Sequence, residues 1–138
     1  MVAAAFLSSA IDVDRSLEKG MNAPKIETND GTNVGRDANS ETKTTVVSFW
    51  TPKKPASRIS NKDLSRRFYD ENKETEFISI CIDSDKALMD EVMKIDGVKA
   101  DKVFSAADVS QRTFKDYDVE TNPRAFIISQ EGKIQEII

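Results

Sequence analysis

Short apolar runs separated by amphipathic segments dominate the pattern of this chain. Runs rich in β-branched and aromatic residues predict strands over residues 46–50, 77–82, 124–129 and 133–138. A helical segment separates the first two runs, which predicts a βαβ unit with parallel strands. The turn Glu131-Gly132 joins the last two, which predicts an antiparallel pair. The pattern therefore indicates an α/β fold with a central mixed sheet flanked by helices.

Three segments between the predicted strands have helical spacing. In the first, Leu64 and Phe68 lie four residues apart, and the second ends at Gly97, a residue suited to the left-handed conformation. A brief extended piece, residues 102–104, precedes the third. The predicted N-cap residues are, in chain order, Ser57 or Ser60, then Ser84, then Ser105 or Asp108.

The Pro-rich segment from Thr51 to Arg58 follows the first predicted strand directly. In α/β folds the loop at the carboxyl end of a strand is where ligands and catalytic groups usually lie. Lys53, Lys54 and Arg58 fall at the predicted start of the first helix, where free backbone amides and the helix dipole favour negative charge. The sequence therefore predicts an anion-binding site at these three residues.

Composition narrows the chemistry that the chain can perform. Its 138 residues suit one domain with a single core, and no apolar run is long enough to predict a membrane span. One cysteine forms no internal disulfide, and the absence of histidine excludes a His-based triad and argues against zinc or haem. We therefore expect no metal and no cofactor.

The net charge of the chain is −4, and the charged residues are distributed unevenly along it. Between residues 51 and 67 there is one acidic residue, Asp63, against six basic ones, and the simplest interpretation is a solvated helix face. No nucleic-acid partner is expected, because the protein is acidic overall and no aromatic residues interleave with the basic ones. The six basic residues are Lys53, Lys54, Arg58, Lys62, Arg66 and Arg67.

The segment from Phe49 to Arg58 resembles the Phe-Trp-x-x-Trp-Cys-x-x-Cys-Arg motif of thioredoxin-like proteins of the TlpA/ResA type, within the AhpC/TSA thiol-disulfide oxidoreductase group. Phe49, Trp50 and Arg58 match it. Lys53 stands at the second Trp, and Lys54 and Ser57 stand at the two cysteines. The resemblance implies a degenerate active-site loop with no catalytic residue, formed by Trp50, Lys53, Lys54, Pro55, Ala56 and Ser57.

Two further segments resemble the same family. Residues 20–26 are similar to its Gly-x-x-Ala-Pro-x-Phe opening, which lays a short strand along the sheet before a hairpin. Residues 117–134 are similar to its Tyr-x-Val-x-Gly-x-Pro segment, which implies a cis bond before Pro123, opposite the loop. The resemblance implies a thioredoxin-like domain over residues 20–138 without the C-terminal helix, an absence that favours truncation or a partner.

The N-terminal segment, residues 1–19, stands apart from that domain. Residues 1–10 resemble the end of a signal peptide but lack its basic start. We therefore expect the segment to be a truncated signal peptide or an arbitrary start of the chain, and to be partly disordered. Because the family is commonly exported or lipid-anchored, the resemblance implies a periplasmic or cell-envelope location.

Cys81 lies within a predicted strand. A thiol in the interior of a strand behaves as a small apolar residue, and desolvation raises its pKa. We therefore expect Cys81 to be an unreactive core residue.

Three functional hypotheses remain open. The first is a non-redox binding module whose loop, Trp50 and Pro123 hold an extended peptide or an anionic group, with an unidentified protein or peptide as partner. The second is residual thiol-disulfide or antioxidant chemistry through Cys81 or a partner's cysteine. The third is a structural domain whose site has decayed. The missing loop cysteines favour the first over the second.

Overall fold

The computed structural model describes residues 16–34, 43–72 and 74–138, so the predicted signal-peptide remnant at residues 1–10 lies outside the described residues. None of the described helices is long and apolar enough to cross a bilayer. The strands are β1 (Ile26–Glu27), β2 (Asn33–Val34), β3 (Thr44–Trp50), β4 (Thr75–Cys81), β5 (Lys102–Ser105), β6 (Ala125–Ile128) and β7 (Ile134–Ile137). The helices of the described residues are α1 (Pro55–Ser65), which continues into a π-helical turn (Arg66–Asp70), α2 (Lys86–Asp96) and α3 (Gln111–Asp116).

A five-stranded mixed sheet in the order β5-β4-β3-β6-β7 forms the centre of the fold. Strands β3, β4 and β5 are parallel, whereas β6 is antiparallel to both β3 and β7. Every residue of β3 after Thr44 is buried, because both faces of this central strand are covered. The four predicted strands and their directions are confirmed.

The residues before β1 cover the β7 edge of this sheet. The Gly20 amide donates to the Ile134 carbonyl over 2.7 Å, and the Ala23 amide donates to the Gly132 carbonyl over 2.9 Å. Strands β1 and β2 then pair as an antiparallel hairpin. This short extended segment followed by a hairpin agrees with what the family resemblance of residues 20–26 implies.

Aromatic side chains fill the core on one side of the sheet. The ring of Phe49 lies 5.0 Å from that of Tyr117, 6.0 Å from that of Phe114 and 6.1 Å from that of Phe126, measured between centroids. The Tyr117 hydroxyl donates to the Pro24 carbonyl over 2.7 Å, which ties this cluster to the N-terminal segment. These contacts anchor α3 and the N-terminal segment to the sheet near the carboxyl end of β3.

Helices α1 and α2 cover the other side of the sheet. Leu64 of α1 packs with Val46 and Phe77, and Trp50 packs with Cys81 and Met89. A buried hydrogen bond of 3.0 Å from the Ser79 hydroxyl to Asn61 Oδ1 joins α1 to β4. These contacts fix the position of α1 relative to strands β3 and β4.

The predicted N-cap residues are wrong for all three helices. Helix α1 begins after Lys54, with Pro55 in its first turn and no side-chain cap, so Ser57 and Ser60 lie inside it. The fixed φ of a proline suits the first helical position, and a side-chain acceptor is not needed to start the helix there.

Helices α2 and α3 are capped by neighbours of the predicted residues. The Asp85 carboxylate, not Ser84, accepts from the Leu88 amide at the start of α2. Ser110 caps α3 because the Asp108 carboxylate is already engaged by the Ser105 amide, at 2.9 Å, in the preceding turn. Gly97 ends α2 with φ of 67°, as predicted.

Candidate functional site

The loop between β3 and α1 lies between two other loops. The Lys53 ammonium is 3.2 Å from an oxygen of Asp83, which follows β4. The Lys54 ammonium donates to the Thr121 carbonyl over 3.0 Å, and Thr121 belongs to the segment that precedes β6. Two consecutive lysines therefore contact the segments on either side of the loop.

The ion pair of Lys53 is weaker than its geometry suggests. The Lys53 side chain is 77% exposed, and water screens a pair at such a position. The pKa of Asp83 is lowered mainly by the hydrogen bond from the Asp85 amide, and Lys53 contributes less. Asp83 is thus fixed by its own loop, and Lys53 remains available to a ligand.

Ser57 stands where the resemblance places the second cysteine, and its hydroxyl holds the loop together. The oxygen accepts a hydrogen bond from the Thr51 amide over 3.0 Å. It also lies 2.8 Å from the Lys54 carbonyl and 3.1 Å from the Thr51 carbonyl, to either of which its proton can be donated. The side chain is almost fully buried, so Ser57 is a structural link and not a surface group.

The segment around Pro123 lies beside the end of β3. The Phe49 amide donates to the Arg124 carbonyl over 3.0 Å, which places the residue after Pro123 next to the residue before Trp50. The predicted cis bond is not found, because the described residues contain no cis peptide bond. Trans is the lower-energy form before proline, and a cis bond persists only where the surroundings require it.

Trp50 contributes no surface to the site, although the resemblance places it there. It is 1% exposed and packs against Cys81, Met89 and Val92 under α2. Its Nε1 is buried without a hydrogen-bond partner among the described residues. The ring therefore supports the loop from below.

Arg58 is directed away from the loop. Its Nε and Nη2 lie 2.7 Å and 2.8 Å from the two carboxylate oxygens of Asp96, a bidentate pair. The Arg58 guanidinium holds the pKa of Asp96 below its usual range. Lys53, Lys54 and Arg58 thus have three separate partners in the structure and do not converge on one point.

Cys81 is buried at the end of β4, opposite Trp50 on β3. Burial raises the pKa of its thiol to about 11. The expectation of an unreactive core cysteine agrees with this position. Within the described ranges no group of acidic residues and cysteine could hold a metal ion.

We expect Cys81 to react with a thiol reagent at least ~100-fold more slowly in the native protein than after denaturation, because both burial and the raised pKa suppress the thiolate. Colour release from an aromatic disulfide reagent measures both rates in the same buffer series. Native labelling as fast as that of the denatured chain would contradict the buried position.

The partners of the loop residues were not found by sequence reasoning. Asp83, Asp96 and Thr121 lie on other loops and helices, and Thr121 is 67 residues from the lysine that it binds. The one available signal was that Asp83 directly follows a predicted strand parallel to β3, which places it at the same edge of the sheet.

Comparisons with solved structures agree with this arrangement at the level of the fold. A thioredoxin-like protein from Parabacteroides distasonis is 24% identical, with 88% of each chain covered and a TM-score of 0.71. A thiol-disulfide oxidoreductase from Bacteroides fragilis is 24% identical, with 84% of this chain and 88% of the other covered and a TM-score of 0.60. A secreted disulfide oxidoreductase of Mycobacterium tuberculosis, homologous to E. coli DsbE, is 19% identical, with 84% and 82% covered and a TM-score of 0.60.

A search of the curated proteins found no match. The Redoxin family profile matches residues 18–138, which include all the strands and helices described above and the loop between β3 and α1. The fold is thioredoxin-like, and the chain has one cysteine, which lies outside that loop. The chain therefore belongs to the Redoxin family.

Proposed function

We propose that this protein is a non-redox binding module that holds an extended peptide across residues 51–54 and 121–123. The observation that carries the proposal is that the two segments still meet, through the Lys54–Thr121 hydrogen bond, although the loop has no thiol. We name this pair of segments the loop surface.

Thiol–disulfide exchange requires a thiolate that attacks a sulfur atom. Neither the ammonium of Lys54 nor the hydroxyl of Ser57 replaces it. Residual chemistry through Cys81 is disfavoured, because that thiol is buried and its pKa is raised. With thiol chemistry disfavoured, ligand binding is the function that we propose for the loop surface.

The loop surface is accessible to a peptide. Lys53, Lys54, Thr121 and Asn122 are exposed and Pro123 is half-buried, whereas the amides of Lys53 and Lys54 are already bonded to Thr51. An extended peptide can lie across such an exposed surface, while neighbouring side chains select among sequences. The secreted relative from Mycobacterium tuberculosis is consistent with an exported location, which we also propose.

The anion site at Lys53, Lys54 and Arg58 remains a prediction. An anion there would compete with Asp83 for Lys53, with the Thr121 carbonyl for Lys54 and with Asp96 for Arg58. The bidentate Arg58–Asp96 pair is the strongest of these competitors. A peptide on the loop surface does not require the Arg58–Asp96 pair to break, since Arg58 lies outside residues 51–54 and 121–123, so peptide binding is the form of the proposal that we favour.

The test is a selection of random short peptides displayed on phage against the whole protein. We expect enriched peptides whose binding shifts the backbone amide resonances of the non-proline residues in the ranges 51–54 and 121–124 in a titration. Pro123→Ala should weaken binding by about tenfold, since it alters the surface that the peptide contacts, a loss of ~1.4 kcal/mol. Lys133→Glu, an exposed change on the far edge of the sheet, should not.

The same preparation should show no turnover of a disulfide substrate. Turnover that Cys81→Ser abolishes would favour the thiol-chemistry alternative. A selection that enriches no peptide, or shifts confined to other surfaces, would overturn the proposal and favour a domain whose site has decayed.

A further inference from the structure

The outward face of α1 combines one large apolar side chain with basic ones. Pro55, Ile59 and Lys62 of α1, and Arg66 directly after it, are all exposed and recur at intervals of four, three and four residues, which places them on one face of the helix. Ile59, in the middle of this row, is 67% exposed. We name these four residues the α1 strip.

Positive charge on and beside the α1 strip exceeds the negative charge that neutralises it. Within the described part of the chain no carboxylate forms a salt bridge with Lys62. Arg66 pairs with Asp63, the one acidic residue between positions 51 and 67. Lys54, just before the strip, donates to a neutral carbonyl. The pKa of Asp96 is lowered mainly by Arg58 and also by Lys62, so the charge of Lys62 is only partly compensated, and net positive charge lies on both sides of Ile59 along the helix.

The neighbouring helix offers a matched comparison. Ile95 of α2 is 68% exposed, as much as Ile59, but the exposed residues around it include Asp90, Glu91 and Lys94, which carry both signs. The Arg58–Asp96 pair joins the two helices and neutralises the charges between them. An exposed isoleucine alone needs no explanation, so the distinguishing feature of Ile59 is the excess of positive charge around it, with Asp63 as the one acidic residue between positions 51 and 67.

We propose that the α1 strip docks an acidic segment of a partner protein, in which a large apolar side chain covers Ile59 and flanking carboxylates meet Lys62 and Arg66. This inference rests on the proposed function as a binding module and names the chemistry of the partner. Contact with Ile59 removes apolar surface from water, and the cations select carboxylates over other groups. Nucleic acid is disfavoured as the occupant, since the strip has no aromatic residue and the net charge is −4.

The probe is a set of three labelled short peptides tested against the whole protein by fluorescence anisotropy. One has a leucine flanked on each side by glutamates, one has glutamines in place of the glutamates, and one has glycine in place of the leucine. We expect the first to bind at least tenfold more tightly than either control, the apolar contact and the charges each contributing about that factor. Raising the salt from ~0.02 M to ~0.2 M should weaken it, because exposed pairs are screened.

Variants locate the contact. Ile59→Ala and Lys62→Glu should each weaken the acidic peptide by about tenfold or more, whereas Ile95→Ala and Lys115→Glu, on α2 and α3, should change it by less than about twofold. Circular dichroism verifies that each variant is folded; the replaced side chains are exposed, so none should unfold the protein. Equal binding of the glutamine peptide, equal loss with Ile95→Ala, or no binding of the acidic peptide would overturn the inference.

The loop variant separates the two proposals. Pro123→Ala should weaken the peptides selected on the loop surface and leave the acidic peptide unaffected. If selected peptides respond to Pro123→Ala but not to Ile59→Ala, and the acidic peptide fails to bind, the proposed function stands and the inference about the α1 strip is wrong. If the acidic peptide binds at the strip and no peptide responds to Pro123→Ala, the inference stands and the loop surface is not the binding site.

Discussion

Replacing Phe49 with alanine is expected to lower the free energy of unfolding by about 3–5 kcal/mol. Phe49 is 1% exposed, and its ring contacts those of Phe114, Tyr117 and Phe126. The cavity left by the ring would lie between the central strand and the elements that cover it, where the structure relaxes little. Urea unfolding followed by circular dichroism measures the change.

Ile59→Ala is the matched control, since it also removes a large apolar side chain, but an exposed one. It should change the free energy of unfolding by less than about 0.5 kcal/mol, as surface substitutions do. The dependence of the free energy on urea should stay the same in both variants, because the surface exposed on unfolding hardly changes. A loss below about 1 kcal/mol for Phe49→Ala would contradict its central place in the core.

Restoring the two missing thiols should produce an internal disulfide. The double substitution Lys54→Cys and Ser57→Cys places two sulfurs one helical turn apart, and the Ser57 amide already donates to the Lys54 carbonyl over 3.0 Å. Residues so spaced have Cα atoms within the range of about 4.4–6.8 Å that a disulfide needs. The helix end also lowers the pKa of the first thiol below about 8.5, which favours the attacking thiolate.

Thiol counts after denaturation give the readout. The oxidised variant should retain one titratable thiol, that of Cys81, and reduction should restore the two introduced ones. Lys54→Ala with Ser57→Ala controls for the loss of the Lys54–Thr121 contact and of the Ser57 hydrogen bonds. Two thiols that stay free under mild oxidant in a folded variant would show that this loop does not have the thioredoxin geometry.

The strands could be predicted from sequence because burial on both faces leaves a continuous apolar run. Six of the seven residues of β3 are buried, and residues 46–50 indicate that strand without other information. The hairpin β6–β7 followed in the same way from the turn at Glu131-Gly132. These are local signals, and they sufficed for the positions of four strands and for the directions of two strand pairs, but not for the order of the strands in the sheet.

Helix starts were less predictable, because several polar residues near each start compete for the same role. Asp108 is a good capping residue in isolation, yet its carboxylate accepts from the Ser105 amide and from the Lys86 ammonium. Ser110 is then left to cap α3. Which residue caps a helix depends on these tertiary contacts, which the local sequence does not contain.

In the candidate site, too, local features could be predicted from sequence and tertiary contacts could not. The sequence indicated which residues form the loop, because a strand, a proline and a helix follow one another there. It did not indicate that Arg58 would turn to Asp96 on α2, or that Trp50 would lie fully under the loop. Those outcomes depend on how α2 packs against α1, and no local pattern reports that packing.

The intrinsic fluorescence of the buried Trp50 reports on the packing of α2. The chain has a single tryptophan, so its long-wavelength emission comes from one place, beneath the loop and against α2. With Nε1 shielded and without a partner among the described residues, the folded protein should emit at the blue end of the indole range, and emission should move to the red when α2 separates from the sheet. A ligand that stays on the loop surface would leave this spectrum unchanged. A ligand that displaces α2 would shift the Trp50 emission to longer wavelength.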